Sequence, residues 1–182
     1  ILKEPPSTLH LQQKGVFLML FISFDQASNE TGFSVFEDGN LLEYGKINTK
    51  SNEFMDKVIE VQNYVFLTIN EMVDKYKPKN FKVVFEDIQL QHRGGVDTFK
   101  KLAQLQGVLI VSVMRNFPEV DIEIVHASSW KSTAEVRGRG RAEQKRNAQA
   151  KVLEMFNVKA TQDECDAILI GYHASTQELN WE

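Results

Sequence analysis

The stretch VFLMLFISFD, residues 16–25, decides the fold because it is an apolar run that ends at an acid. Such a run, interrupted only by Ser23, predicts a buried central β-strand over residues 16–24. Asp25 follows directly, at the carboxyl edge of the predicted sheet, where open α/β sheets place their sites. The run is too short to cross a bilayer and lacks the basic flank of a signal peptide, so we expect no membrane segment.

The rest of the chain contains β-like and helical segments in a recognisable order. Strands are predicted at residues 32–37, 41–47, 81–85 and 121–125, and helices at residues 53–76, 97–116, 141–156 and 163–177. A turn at Asp38, Gly39 and Asn40 joins the first two of these strands, and single strands then alternate with helices, which indicates parallel pairing. We therefore predict an α/β fold with a mixed five-stranded sheet, three antiparallel strands followed by parallel ones, and helices on both faces.

Composition indicates one globular domain. The 182 residues suffice for a core without disulfides, and the single cysteine, Cys165, suits a reducing cytoplasm. Residues 1–18 have no clear period and the chain begins without methionine. We expect them to be an N-terminal extension, partly a cloning remnant, with Met19 as the native start and one domain over residues 19–182.

Four acidic residues suggest a metal site. Asp25 and Glu86 each follow a predicted strand, and Asp163 and Asp166 stand three apart on one side of a predicted helix. Closely gathered carboxylates are costly unless a hard cation shares them. Two such ions can activate a water and stabilise the leaving oxygen of a phosphodiester, so a metal-dependent nuclease is the first hypothesis.

Each acid also has an ordinary explanation. Asp25 could cap the turn that follows it, and the Asp163 and Asp166 pair could complement a helix dipole, with Asp163 as the N-cap. Asp87 competes with Glu86, because the pleat of a strand sends neighbouring side chains to opposite faces. Only the joint order and placement of the four acids favour the metal site over these explanations.

A local excess of basic residues contrasts with the net charge of −4. Residues 131–151 hold seven Lys and Arg against two Glu, and three of the arginines alternate with glycine in RGRGR, residues 137–141. Glycine at this density predicts a loop rather than a charged helix face. Because binding to nucleic acid follows local phosphate contacts, we interpret this stretch as a phosphate-binding surface.

Six segments carry a resemblance to a known family. They are FDQASNETGF (24–33), VFED (84–87), DTFKKLAQLQG (97–107), WK (130–131), AEQK (142–145) and DECDA (163–167). In these segments and their order, the chain resembles the RuvC family of Holliday junction resolvases, in the RNase H-like superfamily, over roughly residues 19–175.

The resemblance implies a homodimer that binds four-way DNA junctions and nicks two opposed strands, leaving 5′-phosphate and 3′-hydroxyl ends. It implies two Mg²⁺ or Mn²⁺ ions per active site. Carried over by position, the catalytic metal ligands are Asp25, Glu86, Asp163 and Asp166. The resemblance also makes Lys131 and Lys145 phosphate contacts. The basic stretch extends the predicted DNA-binding set with Arg137, Arg139, Arg141 and Arg146.

Two departures from the family pattern bear on selectivity. The family has Pro-Gly after its first acid where this chain has Gln26 and Ala27, and an aromatic three residues after the second acid where Gln89 stands. Without the aromatic residue, the site has no stacking surface that selects unpaired bases. The Arg-Gly repeat instead adds contacts with the DNA backbone that do not depend on sequence. In these two features the chain resembles the phage-encoded members of the family. That resemblance implies cleavage of forks and other branched DNA, in the cytoplasm of a bacterial host.

Three other functions compete. Composition does not distinguish this chain from an RNase H-like enzyme that processes RNA. A junction-binding module without catalysis would need a geometric defect among the four acids. A sugar kinase or chaperone-like ATPase shares the strand topology but needs two such domains and a longer chain. The late acid pair and the basic loop favour the resolvase.

Overall fold

A computed structural model describes residues 19–90 and 95–179 of the chain, with side chains up to residue 177. The described strands are β1 Met19–Asp25, β2 Glu30–Glu37, β3 Asn40–Asn48, β4 Asn80–Glu86 and β5 Asp121–Val125. The helices are α1 Phe54–Tyr76, α2 Gly95–Asn116, α3 Ala127–Thr133, α4 Arg141–Phe156 and α5 Gln162–Leu179. The predicted extension at residues 1–18 lies outside the described residues.

The sheet has the order β3-β2-β1-β4-β5, with β1 at its centre. β1 pairs antiparallel with β2, which pairs antiparallel with β3, whereas β1 and β4, and then β4 and β5, are parallel. The mixed five-stranded sheet is therefore confirmed. The hairpin between β2 and β3 turns at Asp38 and Gly39, whose φ angles of 48° and 75° give the twist that two-residue hairpins favour.

Alternation along β1 divides the core into two layers. Leu20, Ile22 and Phe24 belong to the apolar cluster that α1 and α2 cover, and Phe21 belongs to the cluster beneath α3, α4 and α5. Because successive strand residues point to opposite faces, Asp25 shares the α5 face of the sheet with Phe21 and Ser23. The first acid is thus directed toward the helix that carries the last two.

Helix α5 packs closely on the centre of the sheet. The hydroxyls of Ser23 and Ser34 each lie 2.9 Å from the carbonyl oxygen of Ala167 and 2.6 Å from one another. Gly171 makes this approach possible, because a Cβ there would lie 2.5 Å from the Ser34 hydroxyl and 2.6 Å from the Ser23 hydroxyl. Buried hydrogen bonds of this kind fix the position of the helix along the strand.

One element differs from the prediction. The sequence analysis predicted no helix between β5 and the basic loop, but Ala127–Thr133 forms helix α3. Its seven residues carry no apolar period, and the burial of Trp130, which is 2 % exposed, holds the helix against the sheet. Within residues 19–90 and 95–179, no helix is both long and apolar enough to cross a membrane.

Candidate active site

Asp25 and Glu86 end two neighbouring strands. β1 and β4 run parallel with Phe24 opposite Phe85, so the two acids stand one step beyond the last paired residues. Val84 packs in the cluster beneath α5, and Glu86 shares its face because strand side chains alternate. The fold therefore places both carboxylates at one edge and on one face of the sheet.

The other two acids belong to the start of α5. Asp163 lies in its first turn and Asp166 follows three residues later. Gly32 on β2 pairs with Asp25 and lies against the backbone of Asp163, where a Cβ would stand 2.6 Å from the carbonyl carbon. The absence of a side chain at Gly32 lets α5 bring its acids to Asp25.

The four carboxylates influence one another electrostatically. Burial raises the pKa of Asp25 well above its ordinary value, and the charges of Glu86, Asp166 and Asp163 raise it further. Burial, followed by the charge of Glu86, raises the pKa of Asp166 to about 6. Lys145 opposes these shifts at both residues. The geometry agrees with this, because all four carboxylates line one cleft.

Glu86, rather than Asp87, belongs to this cluster. The indole Nε1 of buried Trp130 donates a hydrogen bond to Glu86 Oε1 at 2.9 Å. Burial raises the pKa of Glu86, and the Trp130 hydrogen bond partly offsets that rise. Asp87 instead has a carboxylate oxygen 2.8 Å from Nδ1 of His126. Both neighbouring acids line the cleft, and it is the charge of Glu86 that raises the pKa of Asp25.

A fifth carboxyl group, which the sequence analysis missed, stands beside Asp163. Burial and a hydrogen bond with the Glu30 side chain raise the pKa of Asp163. The same hydrogen bond and Lys46, whose Nζ lies 3.3 Å from Glu30 Oε2, lower the pKa of Glu30. The sequence signal was available, because Glu30 lies two residues before Gly32 and shares its face of β2.

The acids line a cleft of about 450 Å³ that also has a basic side. Its cationic lining residues are Lys131, Arg141 and Lys145. An adjoining groove of about 560 Å³ shares Lys131 and adds Arg137. Arg139 and Arg146 are exposed and line neither of these two clefts. Four of the six predicted DNA-binding residues thus surround the candidate site.

Comparison with known proteins agrees with this geometry. The profile of the family "Crossover junction endodeoxyribonuclease RuvC" matches residues 21–172, most of the chain. The chain belongs to the RuvC family. It is a Holliday junction resolvase of this family, an endodeoxyribonuclease. No curated protein matches the sequence.

Solved RuvC structures share the fold. The Thermus thermophilus RuvC structure has 17 % identity and a TM-score of 0.64, covering 89 % of this chain and 97 % of that one. The same protein in complex with a Holliday junction substrate has 15 % identity and a TM-score of 0.62, over 88 % and 96 %. The yeast mitochondrial resolvase Ydc2 has 11 % identity and a TM-score of 0.52, over 87 % and 80 %.

Hydrogen bonds from α4 hold the arginine–glycine loop of this RuvC-family chain. Asn147 donates to the carbonyl oxygen of Arg137 at 2.6 Å, and the backbone N–H of Arg139 donates to Glu143 at 2.8 Å. Gly138 lies against α4, where a Cβ would stand 2.8 Å from the backbone nitrogen of Gln144. The arginine side chains therefore project from a fixed backbone.

The donor chemistry of the RuvC-type site fits a hard divalent cation. No three His, Cys, Asp or Glu side chains within the described ranges converge closely enough to enclose an ion as they stand. Mg²⁺ does not need such a cage, because it keeps several waters and binds through one or two carboxylates and substrate phosphates. Burial and then the repulsion of neighbouring carboxylates raise the pKa of Asp25, and a bound divalent cation would relieve that repulsion.

Proposed function

We propose that this chain is a divalent-metal-dependent endonuclease that resolves Holliday junctions and cuts other branched DNA by paired nicks. The observation that carries the proposal is the cleft in which Asp25, Glu86, Asp163 and Asp166 face Lys131, Arg141 and Lys145. Carboxylates hold metal ions and cations hold phosphates, so the two sides of this cleft together suit a phosphodiester.

Resolvases of the RuvC family depend on divalent metal, and we assign that role here to two Mg²⁺ or Mn²⁺ ions. Asp25 and Glu86 from the sheet and Asp163 and Asp166 from α5 would hold them. Bound ions of this kind supply an activated water and stabilise the leaving oxygen, which gives 5′-phosphate and 3′-hydroxyl ends. The chain's own contribution is to bring strand and helix carboxylates together in a partly dehydrated cleft.

The cationic residues would position the DNA. Lys131 and Lys145 lie inside the cleft and lower the pKa of Asp166 against the effect of burial, so their ammonium groups act at the site where the phosphate would bind. Arg137 and Arg139 lie on the loop that α4 holds, outside the acid cluster. We assign them contacts with the DNA backbone, which carry no sequence information.

We propose a homodimer, because paired nicks on opposed strands need two active sites. The outer faces of α1 and α2 expose an apolar patch that suits a second copy. It consists of Met55, Ile59, Val108, Val111 and Met114, each at least 40 % exposed. An apolar groove of about 820 Å³ between these helices includes Met55, Val108 and Val111. Exposed apolar area of this kind marks protein interfaces.

We also propose relaxed substrate selection, as in phage-encoded members of the family that act in the bacterial cytoplasm. Gln89 lines the cleft where the family pattern has an aromatic residue. An amide gives no broad stacking surface for an unpaired base, so junction shape and backbone contacts would carry most of the recognition. Forks and flaps should then be cut at rates comparable with four-way junctions.

The test uses a labelled four-way junction and a linear duplex of matched sequence, with Mg²⁺ or EDTA. Wild-type protein should nick the junction symmetrically only with Mg²⁺, and Asp25→Asn should reduce the rate at least about a thousandfold while binding the junction in EDTA. Asp74→Asn, an exposed acid on α1, is the matched control and should cut normally. Tight binding without cleavage in Mg²⁺ or Mn²⁺ would leave a junction-binding module, and preferential cleavage of structured RNA would favour the RNA-processing alternative.

A further inference from the structure

The side chain of Gln26 joins the ends of the two strands that carry Asp25 and Glu86. Its Nε2 donates to the backbone carbonyl of Glu86 at 2.6 Å, and its Oε1 accepts from the backbone N–H of Glu86 at 3.2 Å. The side chain is buried, with Gln26 only 6 % exposed. Both polar ends of one amide therefore bind the peptide groups on either side of a single acid's Cα.

This arrangement extends the β1–β4 ladder beyond its last backbone pair. Phe24 and Phe85 are the final paired residues, and Gln26 lies outside β1. A primary amide has an N–H donor and a carbonyl acceptor, as a peptide group does. The Gln26 side chain can therefore replace the interstrand hydrogen bonds that the backbone no longer makes beyond the end of β1. The ends of neighbouring strands otherwise fray, and here those ends carry the acids.

Two further side chains restrain the same residue. Gln106 on α2 donates to the carbonyl oxygen of Glu86 at 2.8 Å, and Trp130 on α3 donates to its carboxylate at 2.9 Å. Gln26 differs from both because it also follows Asp25 in sequence. It is thus the residue that links the backbone of the first acid to the backbone of the second.

We infer that Gln26 is a positioning residue that fixes the separation of Asp25 and Glu86 and thereby the affinity of the site for a divalent cation. The inference rests on the proposed function. Residues that orient metal ligands change metal affinity or activity by about 10- to 100-fold when they are lost. The Pro-Gly of the family pattern cannot make this link, since proline has no side-chain donor or acceptor. Where the family pattern has a proline, which restrains its own backbone, this chain has a glutamine whose side chain binds the backbone of Glu86.

The decisive variants keep the fold and remove the bridge in different ways. Gln26→Met retains the length of the side chain without adding charge and removes both hydrogen bonds, and Gln26→Ala removes the side chain beyond Cβ. Gln106→Ala removes a neighbouring bond to that carbonyl without touching the residue next to Asp25. Gln149→Ala, an exposed glutamine on α4, is the control. Thermal unfolding in EDTA establishes that each variant folds.

The first readout is Mn²⁺ binding to DNA-free protein by isothermal titration calorimetry. Both Gln26 variants should bind Mn²⁺ at least about tenfold more weakly than wild type. Gln106→Ala should lose less affinity for Mn²⁺ than the Gln26 variants do, and Gln149→Ala should bind Mn²⁺ as tightly as wild type. The second readout is the Mg²⁺ dependence of junction cleavage. The midpoint should move about tenfold upward for the Gln26 variants, high Mg²⁺ should restore most of the rate, and junction affinity in EDTA should stay within twofold of wild type.

The outcomes separate this inference from the proposed function. If wild-type protein binds Mn²⁺ but cuts no branched DNA, the proposed function fails and calorimetry alone decides the role of Gln26. If folded Gln26→Ala and Gln26→Met bind Mn²⁺ as tightly as wild type, or if wild type binds no Mn²⁺, the inference is overturned. A loss of rate that high Mg²⁺ does not restore would assign Gln26 a merely structural role and would also overturn it.

Discussion

The backbone of Gly32 lies against the backbone carbonyl of Asp163, so that no side chain fits between β2 and the start of α5. Gly32 also pairs directly with Asp25 across the β1–β2 ladder. A single close contact therefore sets the distance between the first acid of the site and the pair on the helix. A glycine at a strand interior often marks such an approach of two backbones.

Gly32→Ala should separate these elements. The added Cβ would overlap the Asp163 carbonyl and push α5 away, which should cost about 1–3 kcal/mol in the free energy of unfolding and reduce cleavage more than tenfold. Urea unfolding and junction cleavage measure the two effects. Gly140→Ala is the control for stability, because nothing lies within 4 Å of a Cβ there. Equal stability and activity of Gly32→Ala and wild type would show that α5 adjusts freely.

Asp166 should make the stability of metal-free protein fall as pH rises. Its pKa of about 6 in the fold exceeds the ordinary value of 3.8, so the folded state holds the proton more tightly than the unfolded state. This contribution is complete below pH about 4 and is lost as pH rises through about 6. Urea unfolding in EDTA between pH 4.5 and 7.5 should therefore show Asp166→Asn gaining stability relative to wild type with pH. A constant difference across this range would contradict the expectation.

Trp130→Phe should shift the pH dependence of cleavage. The indole hydrogen bond lowers the pKa of Glu86 against the effect of burial, so its loss should move the acidic limb of the pH–rate profile upward and slow cleavage by on the order of tenfold. Val152→Ala is the control for lost core volume, because Val152 is buried in the same apolar cluster. It should lower stability without moving the profile.

Lys131 and Lys145 should matter more for cleavage than Arg146. The two lysines line the cleft with the acids, whereas Arg146 is exposed and lies outside that lining. Lys131→Ala and Lys145→Ala should each slow cleavage at saturating DNA and lower the slope of log affinity against log salt by about 1. Arg146→Ala should change only affinity at low salt. Binding titrations at several salt concentrations and single-turnover cleavage distinguish these effects.

Val111→Glu should disrupt the proposed dimer. Val111 is 48 % exposed on α2, and a charge there would have to be buried between two copies. Light scattering should show a monomer, and junctions should accumulate single nicks instead of paired ones. Leu153→Glu, at an exposed position on α4, should remain dimeric and serves as the matched control. A dimeric Val111→Glu protein would place the interface elsewhere.

Much of the architecture could be predicted because it depends on local patterns. The apolar run before Asp25, the 3- and 4-residue spacing of Val58, Val61 and Val65, and the Asp38-Gly39 turn each report one element through its own periodicity or backbone preference. The structure buries those valines and turns the chain at Asp38 and Gly39. The meeting of Asp25 and Glu86 also followed from position, because parallel strands bring their carboxyl ends to one edge.

Helix α3 and the restraints on Glu86 could not be predicted in the same way. Trp130 gives α3 no periodic signal, and its helix forms where burying an indole against the sheet outweighs weak local preference. The hydrogen bonds that Gln26 and Trp130 make to Glu86 join residues 60 and 44 positions apart. Such contacts leave no period or spacing in a single sequence.

The sequence by itself therefore determined the order of the elements, the edge of the sheet where the acids meet and the basic stretch that follows. These depend on periodicity, turn chemistry and charge, which act between near neighbours along the chain. Only the tertiary structure showed that the Trp130 indole binds Glu86, that Glu30 contacts Asp163, and that Gln26 bridges two strands. These depend on burial and on hydrogen bonds between distant segments, which exist only after the layers have packed.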